Sequence, residues 1–329
     1  MNVRTHPSLD HAGRRRARLR APLAGLATLA FATGAWLAGG TGPVQAATPP
    51  RSFASTSPFN VAIPASPTID PNSAAMVSRV TRTGQVHAAM HEFGIPVYTA
   101  TASTPRYSVR CTMEPAWGRC PLTGLKVPIP TNAVPQLGSV VAMVVLDSTT
   151  GMLHEYWQLK RSGSGWTTSW AAVNPHTGSG WGGGSTGAGA SRLGGVVRTA
   201  EIAAGSINHA LVVSTDNACP RVFRAPAVKT DGTSTRSDCL PEGSRLQLDP
   251  SLDLDTISGL TRGEKAVARA MQTYGAYVID NGGAPLTVSF ERAADASWSG
   301  PGSVYQSAGF SWDYYGMPRV PWSKLRVLR

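Results

Sequence analysis

Residues 140–161 read VVAMVVLDSTTGMLHEYWQLKR. Two apolar runs flank STTG (148–151), whose composition is that of a turn. Each run is short and rich in Val, aromatic or long apolar residues, which predicts two strands joined as a hairpin. Period-two alternation along MLHEYWQLKR then puts Leu153, Glu155, Trp157 and Leu159 on one face. A carboxylate among apolar neighbours must be paired, protonated or open to a cleft, because an unpaired buried charge is expensive. Glu155 is therefore the leading candidate for acid–base chemistry. An acid paired structurally with an arginine is the competing reading.

The same pattern recurs along the chain. GIPVYTA (94–100), RYSVRC (106–111), GWTTSWAAV (165–173), INHALVVST (207–215), SRLQLD (244–249), AYVIDN (276–281), LTVSFER (286–292) and KLRVLR (324–329) read as short strands between Gly, Pro, Asp, Ser and Thr punctuation. Helical spacing is expected in NSAAMVSRV (72–80), in QVHAAMHEF (85–93) ending at Gly94, and in RGEKAVARAMQTYG (262–275). In the last of these, Ala266, Val267, Ala270, Met271 and Tyr274 share a face. Many strands and few helices predict a mainly β fold, a β-sandwich or jelly-roll-like domain decorated by loops. The segment 174–195, NPHTGSGWGGGSTGAGASRLGG, is too long for a simple connection. It reads either as a lid over a ligand cleft or as a loose surface connection.

The ends set the compartment. Arg14, Arg15, Arg16, Arg18 and Arg20 precede an apolar stretch, and Val44-Gln45-Ala46 supplies small residues for cleavage, so residues 1–46 read as a secretory signal. Residues 47–58 read as a flexible leader and 59–329 as a single β-rich domain. No second apolar stretch is long enough to span a membrane once the signal is removed. The formal charge of +11 is partly the signal's, which holds six arginines against one aspartate. The remaining excess is scattered, with no recognition motif, so no nucleic-acid partner is expected. In an exported chain the four cysteines read as disulfides, with the sequence-local pairing Cys111–Cys120 and Cys219–Cys239. A zinc site fails on spacing, since there is no C-x-x-C. No metal or cofactor is expected.

Three ionisable groups sit in apolar patterns. His209 aligns with Ile207, Leu211 and Val213, and Asp280 with Ala276 and Val278. The bland readings are a core histidine satisfied by a carbonyl and a turn aspartate ahead of Asn-Gly-Gly. Glu155 with Asp280 supplies the two carboxyls of glycoside hydrolysis, with His209 as a further catalytic candidate. An alternative takes His209 as base and Tyr156 or Tyr277 as acid, with Arg198 or Arg245 neutralising a uronate, for β-elimination. Trp157, Trp166, Trp170 and Trp181 are candidate sugar platforms, and the even spacing of Trp166 and Trp170 puts them on one strand face. His176 in the glycine-rich loop, and Tyr277 and Asn281 on the other face of AYVIDN, complete the candidate substrate contacts.

Other motifs carry less. GGSTG (183–187) matches a nucleophile elbow only in composition. His87 and His91 would pair on a helix without a third ligand, and DPSLDLD (249–255) lacks the glycine turn and terminal Glu of a calcium loop.

SPFNVAIPASPTIDPNSAAMV (57–77), HEYWQL (154–159), EIAAGSINHAL (201–211), RAPAVKTDG (224–232), LPEGSRLQLDP (240–250) and RAMQTYGAYVIDNGG (269–283) resemble a group of secreted proteins common in actinobacteria. That resemblance implies an exported, β-rich, polysaccharide-related protein and carries no catalytic assignment. The expected function is that of a secreted carbohydrate-active enzyme, a glycoside hydrolase acting on a polysaccharide or cell-wall glycan. A polysaccharide lyase and a non-catalytic glycan-binding protein are the alternatives.

Overall fold

The computed structural model describes residues 51–329, so the signal (1–46) and the first residues of the leader lie outside the described residues. The chain is mainly β, with two larger sheets stacked in a sandwich-like arrangement and a few short helices. A six-stranded mixed sheet runs in the order His87–Ala89, Thr287–Ser289, Leu211–Thr215, Ala276–Asn281, Arg245–Leu248, Leu325–Val327. A four-stranded sheet runs Trp170–Pro175, Met152–Trp157, Met143–Asp147, Val97–Ala100. The STTG hairpin forms as its sequence predicts, pairing Leu146 with Leu153 and Asp147 with Met152.

Strand alternation builds three apolar layers. On the six-stranded sheet Leu211, Val213, Ala276, Val278, Leu246 and Leu248 face the helix Arg262–Thr273. On the opposite face Val212, Tyr277 and Ile279 meet Val144 and Leu153 of the four-stranded sheet. The outer face of the four-stranded sheet packs Met143, Val145, Tyr156 and Ala171 against Val109, Ile129 and Trp166. Both disulfides form in the sequence-local pairing, Cys111–Cys120 and Cys219–Cys239. Among the described residues no helix is long and apolar enough to cross a membrane.

QVHAAMHEF is not a helix. Val86, Ala88 and Met90 alternate into the helix-side core, and His87–Ala89 pairs in parallel with Thr287–Ser289. Helix-compatible Ala and Met conceal this period of two. Leu159 leaves the face of Leu153 and Trp157, because Gln158 adopts a positive φ of 56° and turns the chain towards the outer layer. Residues 51–58 are docked, not a loose leader. The Phe53 and Ala54 amides donate to the His176 and Gly178 carbonyls at 2.8 and 2.9 Å, and the Phe53 ring is buried in the middle layer.

The glycine-rich segment is neither a lid nor a loose connection. It is buried from Thr186 to Val197, and Ala188, Ala190 and Leu193 insert into the layer between the sheets. Small residues are what allow a loop into that space. At Gly187 an added Cβ would collide with the Asp231 carboxylate, and at Gly195, with φ 68°, with Val212.

The helix Arg262–Thr273 is fixed by a reciprocal cap. The Glu264 amide donates to the Thr261 hydroxyl at 3.2 Å, and the Thr261 amide to the Glu264 carboxylate at 2.9 Å. Thr261→Ala should therefore lower unfolding free energy by about 1 kcal/mol. Urea titration followed by circular dichroism measures this, and an unchanged midpoint would count against the cap.

Candidate functional site

Glu155 is fully buried, with 0 % exposure, on the inward face of Met152–Trp157. The glycine-rich loop supplies its partners. One carboxylate oxygen accepts from the Ser185 amide and hydroxyl, both at 3.1 Å, and from the Arg192 amide at 2.9 Å. The other accepts from the Ser191 hydroxyl. Glu155 does lie on the apolar face that alternation assigns it, but its partners are loop donors and not the expected arginine side chain or open cleft. Glu155 anchors the loop and does not line the cleft described next.

Once its amide is bound to Glu155, Arg192 is aimed. Its guanidinium donates to the Ser185 carbonyl at 2.8 Å and to Asp280 at 2.8 Å. Asp280 also accepts from the Gly187 amide at 2.5 Å. Strict alternation puts Asp280 on the helix-side core with Ala276 and Val278. A bulge overturns this. Val213 pairs with Val278 while Ser214 pairs with Asp280, so Ile279 is the extra residue and Asp280 is turned towards the loop. Its side chain keeps 21 % exposure. Burial and the neighbouring Asp231 carboxylate raise the Asp280 pKa above its ordinary value, against the lowering effect of Arg192.

Asp231 comes from the loop closed by Cys219–Cys239 and accepts from the Asn281 amide at 2.9 Å. Its carboxylate packs on the Cα of Gly187, whose amide holds Asp280. The two carboxyls flank one residue and, from standard bond lengths, lie no more than about 8 Å apart. Behind Asp231 is Glu242, also 0 % exposed. Burial, then contact with Asp231 and the charge of Asp280, push its pKa up to about 9.

Asp231, Asp280 and Arg192 open onto a cleft of about 850 Å³ that draws on both sheets. Trp157 and Trp170, direct cross-strand partners, line it too. Trp117, carried by the loop closed by Cys111–Cys120, stacks on Trp157 with ring centres 5.7 Å apart and planes 12° from parallel. Asn281 and Gln158 add amides to the lining.

The other sequence candidates lie elsewhere. His209 precedes the strand Leu211–Thr215, so strand alternation does not apply to it. It is tied to the Ala210 carbonyl at 2.9 Å and the Glu201 carboxylate at 3.1 Å, beside a separate cavity of about 280 Å³ that it shares with His176 and Arg198. Trp166 and Trp170 do not share a face, because Ser169 separates two strands. Trp166 is core, with the Arg161 guanidinium 4.5 Å over its ring. Trp181 stacks on Phe59 at 5.1 Å, away from the cleft. Tyr277 and Tyr156 are buried, and Arg245 binds the Tyr274 and Val61 carbonyls, so the elimination set is not assembled. The Ser185 hydroxyl of GGSTG serves Glu155. The acids of DPSLDLD are taken up by Ser251, the Asp255 amide, Lys265 and Arg269. His91 is buried against Trp298, and His87 lies on a strand.

Sequence reasoning misses Asp231, Glu242, Arg192 and Trp117. Comparison with protein-family models, curated proteins and solved structures found no match.

Glu155→Gln should cost about 3 kcal/mol of stability, because an amide group replaces one acceptor where the Ser and Arg192 donors converge. Chemical denaturation reads the loss, and a wild-type midpoint would show that the carboxylate does not anchor the loop.

Proposed function

We propose that this chain is an exported enzyme that hydrolyses glycosidic bonds, with Asp231 and Asp280 as its two carboxyls. The observation that carries this reading is their placement on either side of Gly187, in a cleft also lined by three tryptophans. A separation of no more than about 8 Å is short enough for both carboxyls to reach one sugar, as paired carboxyls roughly 5–9.5 Å apart do. Tryptophan faces stack on the C–H faces of sugar rings, and the stacked Trp117–Trp157 pair with its neighbour Trp170 offers such surfaces.

In hydrolysis one carboxyl protonates the leaving oxygen and the other acts on water or on the anomeric carbon. Asp280 is assigned as the basic partner, because its ion pair with Arg192 opposes the burial that raises its pKa. Asp231, in contact with the buried Glu242, is assigned as the member that gives a proton. Glu155 then serves by holding the loop that aims Arg192. Both disulfides support export into an oxidising compartment, the setting in which a wall or matrix glycan is met.

A polysaccharide panel tests the proposal, with reducing ends and unsaturated products both recorded. The expected result is new reducing ends without unsaturation, lowered at least about 100-fold in Asp280→Asn and in Asp231→Asn. Unsaturated products would mark a lyase. Trp157-dependent binding without turnover would mark a binding protein.

A further inference from the structure

We infer that Glu242 is a positioning residue that shares one proton with Asp231, and that this proton makes Asp231 the acid and Asp280 the base of the site. The assignment of acid and base rests on the hydrolase reading; the shared proton does not.

The geometry is unusual. Glu242 is 0 % exposed, and neither of its carboxylate oxygens meets an aligned donor. The Asp231 amide comes near without reaching hydrogen-bond geometry, and the close polar side chain is the Asp231 carboxyl. Two carboxylates are both acceptors. They hold together only if one carries a proton and donates it to the other. The charged groups facing Glu242 are Asp231 from the disulfide-closed loop and Asp280 from Ala276–Asn281, both of which oppose a second negative charge. Arg192 is turned to Asp280 and Ser185, so it does not relieve Glu242. The backbone next to Glu242 is held: Gly243, with φ 84°, packs against the Arg224 carbonyl, and its amide donates to the Val278 carbonyl at 2.8 Å.

Asp231 is the exposed member, and Glu242, buried behind it, keeps the shared proton in place. In the reaction the proton leaves the pair for the glycosidic oxygen as the bond from that oxygen to the anomeric carbon breaks. Water gives its oxygen to the carbon and a proton to Asp280. Exchange with solvent returns a proton to the pair and removes one from Asp280.

Because the folded pair keeps a proton that the unfolded chain has lost, folding takes up one proton between the ordinary Glu value near 4.5 and about 9. In that window rising pH weakens the fold. Relative to Glu242→Gln, the wild-type folding constant should fall about tenfold per pH unit between pH 5 and 8. Urea unfolding at each pH measures it, and Asp231→Asn, whose amide can donate to an ionised Glu242, should make the same slope end at a lower pH, with the burial of Glu242 keeping the rest. Should Glu242→Gln not fold, infrared difference spectra of wild type and Asp231→Asn replace it. The protonated-carboxyl band should persist to a higher pH in the wild type than in Asp231→Asn.

Parallel stability profiles overturn the shared proton, as does a calcium-dependent rise in melting temperature at pH 7 that both variants lose, since a cation would then occupy the pair. On a glycan that the wild type cleaves, Glu242→Gln should move the alkaline limb of kcat/KM at least one pH unit lower with little change in KM. An unmoved limb beside a lost stability slope overturns the acid and base assignment and keeps the proton. Absence of cleavage by the wild type overturns the hydrolase reading and that assignment alone.

Discussion

One buried carboxylate sets the geometry of the cleft. Glu155 has no access to water, and four donors from a single loop converge on it. Hydrogen bonds to a charged group are worth about 1.5–3 kcal/mol each, and stranding such a charge costs far more. The loop is therefore held by the acid and the acid by the loop. Everything that reaches the cleft from this side follows. The Arg192 amide on Glu155 aims the guanidinium at Asp280, and Gly187 offers its amide to Asp280 and its bare Cα to Asp231.

The disulfides extend the same logic to the rim. Each closes a short loop, and each loop carries a cleft residue: Trp117 within 111–120, and Lys229 and Asp231 within 219–239. Loops lose conformational freedom when closed by a crosslink. The crosslinks add to the contacts that hold these residues, the stacking of half-exposed Trp117 on Trp157 and the Asn281 amide on Asp231, which sits in a segment without strand or helix. The two sheets are the rigid support, and the loops bring the chemistry to the place where both sheets contribute.

Much of the fold was legible because strands announce themselves by alternation. The hairpin around STTG, the inward acid at Glu155 and the helix Arg262–Thr273 all follow from period and punctuation. The candidate site was legible only in part. Glu155 was singled out correctly as anomalous, yet its partners are backbone amides and hydroxyls, which no side-chain pattern reveals. Asp280 reaches the site through a bulge at Ile279, a one-residue irregularity that local sequence does not mark. A positive φ at Gln158 and a break at Ser169 likewise cut off alternation that reads as continuous. Asp231 in KTDG and Glu242 in LPEG look like turn residues, and their meeting depends on long-range packing that a linear pattern does not carry.

The glycine-rich segment is a clamped structural element in spite of its composition, and the cleft has its shape only because of that clamp. Amide hydrogen exchange at Ser185, Gly187 and Arg192 tests this most directly, because these amides are the donors to Glu155 and Asp280. Clamped amides should exchange only through large-scale opening, as slowly as those of the central strand Ala276–Asn281. Exchange at the rate of an unstructured glycine loop would contradict the account, since neither Arg192 nor the pair of aspartates would then have a fixed support.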